Sequence, residues 1–420
     1  MINILEQKYL FDSDDLISDE VFLASEQTAN QSDFQEKIGS QNGKKYSPKK
    51  RIIVSVINDL VTDQRVARTC SVLFELNYKV LLVGREQKTS KPLEKRDYDC
   101  KRMKLLFEQG PQFYLFFNIR LFFVLLCTKA DALLANDLDT LLPNYLVSKL
   151  KGIPLIYDSH EIFCEVPELQ NNPSKKRVWE KLEGWIVPKL KYCITVNQSI
   201  ADYFTNKYQV PFIFVRNIPN YTKIQSLKSR IDLDLPIGKK IVILQGAGIN
   251  VQRGAEELVE AFQYLDENYL LLIVGSGDVI HQLKENVIKF QLQAKVKFID
   301  KIPAAELRHY TSNSNLGVTI DKDTNMNYHF SLPNKVFDYM HAGIPILATK
   351  LPEIENLVNT YHIGTFIQNH DAKHIATQIQ DFLNSKEYLE YKSNTVIAAV
   401  ANNWKSEKQK LTQLFESIKS

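Results

Sequence analysis

Residues 331–349, SLPNKVFDYMHAGIPILAT, pass from a polar, proline-bearing start into a helical period, then across a glycine into an apolar run. This order predicts a helix opening near Ser331, closed by His341-Ala342-Gly343, and a buried strand over 344–349. Ser331 reads as the N-cap and Pro333 as a first-turn residue. Short apolar runs alternate with helical periods from Arg51 onward. Residues 52–57, 79–83, 132–135, 154–157, 192–196 and 212–215 read as strands, with a helix over 64–76. A second series follows at 241–244, 269–274, 296–298, 316–319, 344–348 and 365–366, with a helix over 255–265.

Such alternation predicts an α/β fold, with parallel sheets covered by helices on both faces. Two series predict two Rossmann-like halves facing across a cleft. Residues 1–50 read as an acidic-then-basic extension, 51–220 as a first Rossmann-like half and 221–402 as a second. The polar stretch 219–238 links them, and 403–420 is a final helix carrying Trp404, Leu411, Leu414, Phe415 and Ile418. Ligands of parallel sheets bind beyond the carboxyl ends of the strands.

Composition narrows the classes. The 420 residues are 44% hydrophobic and 24% charged, as in a folded, soluble protein. A net charge of +3 gives no footprint for nucleic acid. Cys70, Cys100, Cys127, Cys164 and Cys193 have no metal-ligand spacing and read as buried, reduced thiols of a cytoplasmic protein. Residues 1–42 hold nine acids and only Lys8 and Lys37 as bases, ahead of Lys44, Lys45, Lys49, Lys50 and Arg51. The segment does not read as a signal peptide; it is a solvated tail or a partner-docking arm.

Candidate chemistry clusters at strand ends. After the strand at 241–244, Gly246 and Gly248 permit close backbone approach to a diphosphate, and Arg253 can hold it. The helix start at Ser331, Pro333, Asn334 and Lys335 is a second anion site, and Asp338 can accept from a sugar diol. In the first half, Asn58, Asp59, Asp63 and Arg65 follow one strand, Asn136, Asp137 and Asp139 a second, and Asp158, Ser159, His160 and Glu161 a third. Of these, Asn58, Asp59, Asp63, Arg65, Asp137 and Glu161 are candidates to face a ligand, and His160 can hydrogen-bond it or assist a deprotonation. No second histidine follows at zinc-binding spacing, and no metal site is expected.

The order and spacing of RIIVSVINDLVTDQRVAR, ALLANDLDTLLP, LIYDSHE, ILQGAGINVQRG, LLIVGSG, KFIDKIPAAELRHY and SLPNKVFDYMHAGIPILAT resemble a group 1 (family 4) glycosyltransferase of the GT-B fold over about residues 51–420. The resemblance implies a retaining, metal-independent transfer from a UDP- or GDP-sugar to a glycan or lipid-linked acceptor in surface polysaccharide synthesis, with no cofactor. It also implies a final helix that crosses back to the first half. Its usual basic pair falls on Gly248 and Arg253, so one charge is missing, and Lys335 is assigned to supply it. Its usual carboxylate pair falls on Phe330 and Asp338, leaving Asn334 or a nearby amide to orient the sugar. His160, Arg253 and Lys335 are the expected catalytic residues. A nucleotide-sugar epimerase and an inactive scaffold subunit share the architecture and remain open. Residues 113–127, FYLFFNIRLFFVLLC, read as a core helix or as a membrane-surface helix at the inner face of the cytoplasmic membrane.

Overall fold

The first sheet is seven-stranded and wholly parallel. In the computed structural model, which describes residues 50–61, 63–219 and 226–419, the chain opens with β1 (Arg51–Asp59), α1 (Gln64–Glu75), β2 (Lys79–Glu86), β3 (Asp99–Lys104), α2 (Gly110–Cys127) and β4 (Ala132–Asn136). It continues through α3 (Leu138–Lys151), β5 (Leu155–Asp158), α4 (Pro167–Gln170), α5 (Pro173–Ile186), β6 (Tyr192–Thr195), α6 (Gln198–Tyr208) and β7 (Phe212–Phe214). The strand order is β3-β2-β1-β4-β5-β6-β7. β1 and β4 are apolar over consecutive residues because helices cover both faces. β3 escapes the hydrophobic pattern: it is an edge strand, DCKRMK, with only Met103 buried.

The second sheet has six parallel strands in the order β10-β9-β8-β11-β12-β13. Its elements are β8 (Lys240–Gly246), α7 (Ala255–Ala261), β9 (Tyr269–Gly275), α8 (Ile280–Lys289), β10 (Val296–Asp300), α9 (Ala304–Ser312) and β11 (Leu316–Thr319). They continue with α10 (Met326–His329), α11 (Asn334–His341), β12 (Ile346–Thr349), α12 (Pro352–Tyr361), β13 (Gly364–Ile367), α13 (Ala372–Asn384) and α14 (Tyr388–Ala401). The α/β architecture of two Rossmann-like halves is the one expected. The extension before Lys50 and linker residues 220–225 lie outside the described residues.

The last helix, α15 (Trp404–Lys419), returns to the first half. Leu411 and Phe415 are fully buried in the core formed by β1, β2 and α1, and the Tyr78 hydroxyl donates to Phe415 O at 3.0 Å. An ionic knot secures the return. Arg216 donates from its backbone N and its Nε to the buried Glu407 carboxylate, each at 2.9 Å, and from NH1 to Asn402 Oδ1 at 2.7 Å. Truncating one partner of such a pair strands the other charge, at a cost of about 3 kcal/mol. Glu407→Ala is therefore expected to lower the first unfolding transition by several degrees in calorimetry. An unchanged profile would remove the knot from the stabilising contacts.

Candidate functional site

The carboxyl ends of the two sheets meet at a cleft of about 600 Å³ lined from both halves. It opens where each strand order reverses, between β1 and β4 and between β8 and β11.

On the C-terminal side the loop after β8 is pinned by Gly254. Its φ is +74°, and a Cβ there would sit 2.3 Å from Ile320 O, so only glycine fits. The close approach sets Arg253 beside Asp321, which is fully buried at the end of β11. Arg253 NH1 lies 3.1 Å from Asp321 Oδ2, and Lys335 Nζ lies 3.9 Å from Asp321 Oδ1. Two cations thus share one carboxylate, leaving a net positive charge. The Arg253 guanidinium also rests over the Tyr328 ring at 4.8 Å, and its buried Nε has no partner. Burial pushes the Lys335 ammonium below its ordinary pKa, while Asp321 opposes the shift and Arg253 adds to it.

On the N-terminal side a charge relay runs inward from the cleft. Asp63 caps α1 by accepting from Val66 N at 3.1 Å and also accepts from Asn58 Nδ2 at 3.1 Å. Arg65 donates to Val215 O at 2.7 Å and pairs with the buried Asp158 at 2.8 Å. His160 lies between two carboxylates, Nδ1 3.2 Å from Asp137 Oδ2 and Nε2 3.5 Å from Asp158 Oδ2. Burial alone would depress its pKa; Asp137 and Asp158 outweigh burial and hold it well above the ordinary value. Glu161, next in sequence, is pushed up to about 7 by burial and by Asp137.

Hydrogen bonds cross between the halves at this level. Asn327 on α10 donates from Nδ2 to Glu161 Oε2 at 3.2 Å and accepts from Ile162 N at 3.1 Å. Asn197 Nδ2 donates to Phe330 O at 2.7 Å, and Ser199 N to Glu353 Oε1 at 2.6 Å. The Phe330 ring packs against the core of the N-terminal half.

Asn58, Asp63, Arg65, His160, Glu161, Arg253, Ser331, Pro333 and Asn334 all line the cleft, as their positions beyond strand ends predict. The other candidates lie off this lining, and the readings of Ser331 as the N-cap and of Cys127 as buried need correction. Asp59 turns away, accepting from Val61 N at 3.2 Å and from Ser90 Oγ at 2.6 Å, because alternation along β1 sends it to the opposite side from Asn58. Asp137 stands behind His160, taking His160 N on Oδ1 at 2.8 Å, and is not among the lining residues. Gly246 and Gly248 do not line the cleft; Ala247 between them does. Lys335 is committed to Asp321 and is likewise not a lining residue. Asp338 lies off the lining as well, accepting from Gln245 Nε2 at 3.1 Å, with burial raising its pKa to about 6. Ser331 is not the N-cap: Pro333 holds that position, and the buried Ser331 Oγ has no partner. Cys127 is exposed rather than buried.

The pattern missed Lys301, Asn197, Arg216 and Asn327, all of which line the cleft. Lys301 follows β10, so the strand-end rule applied to the second half would have found it. The other three are placed by tertiary contacts. Among the described residues no group of His, Cys, Asp and Glu comes together to hold a metal ion.

This geometry, two facing parallel sheets with a cationic pair at the second switch point, defines a transferase-type cleft for an anionic ligand. Residues 228–398 match the model for glycosyl transferases group 1, and residues 63–223 match that for glycosyltransferase family 4. The chain belongs to the group 1 glycosyltransferases, with the GT-B fold. Among solved structures it is similar to the sucrose-phosphate synthase of Thermosynechococcus elongatus, with TM-score 0.72, 16% identity and 88% of this chain covering 99% of that one. It is similar to Anabaena HepE, solved in complex with UDP and glucose, with TM-score 0.70, 15% identity and coverage of 88% and 100%. A glycosyltransferase from Rickettsia africae gives TM-score 0.69, 15% identity and coverage of 89% and 99%. No curated protein matches the sequence.

The raised pKa of Glu161 has a consequence for stability. The unfolded chain ionises this group near its ordinary 4.5 and the folded chain near about 7. Between those values the folded state holds the extra proton, so its stability falls as pH rises. Glu161→Gln removes that dependence. Its Tm relative to the parent is expected to climb from pH 4.5 to pH 8; a pH-independent difference would contradict the assigned shift.

Proposed function

We propose that the chain is a retaining, metal-independent glycosyltransferase that moves a sugar from a UDP- or GDP-sugar to a lipid-linked or glycan acceptor at the inner face of the cytoplasmic membrane. The observation that carries this reading is the Arg253–Asp321–Lys335 cluster at the β8/β11 switch point, beside the start of α11. As the anomeric C–O bond breaks, charge develops on the leaving diphosphate. Arg253, fixed by the buried Asp321, faces the cleft and stabilises that charge without reorganising, while Lys335 on the same carboxylate adds to the field from behind it. The acceptor hydroxyl attacks from the face the diphosphate leaves, and its proton passes to the departing phosphate oxygen. HepE, solved also with UDP-glucose, supports the choice of donor class.

The membrane side of the reading rests on α2. Phe113, Phe117, Leu121 and Leu125 commit one stripe to the core, so the helix does not cross a bilayer, although among the described residues it alone is long and apolar enough. Leu115, Phe116, Ile119, Phe123 and Leu126 are exposed on the same helix, Phe123 by 57%. α3 packs beside it with Leu150 67% exposed, and α5 beside α3 with Val178 and Trp185 exposed. α2 has no acid and the one acid of α3, Asp139, is buried, whereas Arg120, Lys149, Arg177 and Lys181 are exposed. Apolar knobs set among bases suit an anionic lipid surface.

Two measurements test these points. Thermal shifts with UDP, GDP, ADP and CDP, with and without magnesium, are expected to show stabilisation by one diphosphate irrespective of the metal. Arg253→Ala should weaken it at least tenfold, about 1.4 kcal/mol, with Arg253→Lys intermediate. No response to any nucleotide would favour the inactive-scaffold reading. In flotation, the protein should rise with phosphatidylglycerol vesicles and fail to do so as Ile119→Glu/Phe123→Glu; an absence of binding by the parent protein would refute the membrane face.

A further inference from the structure

We propose that Glu161 is the carboxylate that reads the hydroxyl groups of the donor's sugar, reaching it from the half opposite the diphosphate site. The inference rests on the nucleotide-sugar reading above and specifies how that site recognises its sugar. Among the residues lining the cleft only Asp63 and Glu161 carry carboxylates. Both Asp63 oxygens are engaged, by Val66 N and Asn58 Nδ2. Glu161 uses Oε2 for Asn327, and its Oε1 accepts from no described residue.

That open acceptor is held in place. Asn327 fixes its own amide by accepting from Ile162 N, which turns its Nδ2 toward Glu161 and pins the carboxylate. Asn327 is also adjacent in sequence to Tyr328, the ring under the Arg253 guanidinium, and α10 leads directly into Ser331 and Pro333. A group attached to a diphosphate at Arg253 therefore lies close to Glu161. No carboxylate competes from position 330, where the phenylalanine ring is packed against the other half. The buried, unpartnered Ser331 Oγ lines the same cleft and is available to a second hydroxyl.

The open Oε1 has two lone pairs for neighbouring hydroxyls, and above about pH 7, where Glu161 is ionised, charge assistance makes each bond stronger than a neutral one. The ligand class is thus a sugar with adjacent free hydroxyls. Glutamine in its place would keep one bond to Asn327 through its oxygen and turn an NH₂ donor to the sugar. A site built to bond hydroxyls loses discrimination when its acceptor is replaced.

Calorimetric titration tests the assignment, using UDP, GDP, UDP-glucose, UDP-galactose, UDP-N-acetylglucosamine and GDP-mannose. The parent protein is expected to bind at least one sugar nucleotide tenfold or more tightly than the matching diphosphate. Glu161→Gln should erase that increment while diphosphate affinity stays within about twofold, and Glu161→Asp should recover part of it. An increment that survives in Glu161→Gln overturns the proposal. So does diphosphate binding with no sugar increment anywhere in the panel, or loss of diphosphate affinity in Glu161→Gln, which would mark a purely structural role. Failure of the parent protein to bind any diphosphate would instead be a failure of the donor-class reading.

Discussion

A single arginine holds the geometry on which the cleft depends. Arg216 follows β7 where the first half ends; it grips Glu407 on α15 and Asn402 at the end of α14, and its guanidinium lies 5.7 Å from the Phe337 ring on α11. It therefore touches the first half, the returning helix and α11. Two parallel sheets have no shared hydrogen-bond ladder to fix their relative pose. Here that pose is set by a buried ion pair, the crossing helix and hydrogen bonds through the side chains of Asn197, Glu353 and Asn327.

Charges at the site are organised by the same physics. Asp158 holds Arg65, Asp321 holds Arg253 with Lys335 nearby, and Asp137 with Asp158 flanks His160 and raises its pKa. Buried ions are tolerated because each has a partner, and the pairing orients a cation before any ligand arrives. Glu161 differs: it sits near two other carboxylates, those of Asp137 and Glu168, and has only one hydrogen bond. Such local destabilisation is tolerated where function needs an open acceptor.

The two-sheet architecture was readable because both sheets are buried on both faces, so their central strands are short apolar runs separated by helical periods. β3 was not readable, since an edge strand needs no apolar alternation. At the site, position beyond a strand end picked out Asn58, His160, Glu161 and Arg253 correctly as cleft residues. It failed one residue later for Asp59, where the pleat decides the direction. For Asp137 it named a residue one layer too deep, since the unusual backbone at φ 60° carries its side chain to His160. Ser331 was misread because a serine two residues before a proline is a reasonable cap, yet the turn from α10 already occupies that stretch. Asn327 and Arg216 owe their roles to contacts between segments far apart in sequence, which no local pattern encodes.

The returning helix also sets an order of events during synthesis. Phe415 completes a core whose other members include Ile52, Val54 and Leu73, and 337 positions separate it from its partner Tyr78. At roughly 5–20 residues per second, translation leaves that core open for on the order of 20–70 seconds. The first half, although synthesised first, is thus the last to be sealed, and a chain cut before Trp404 would leave its apolar seat uncovered.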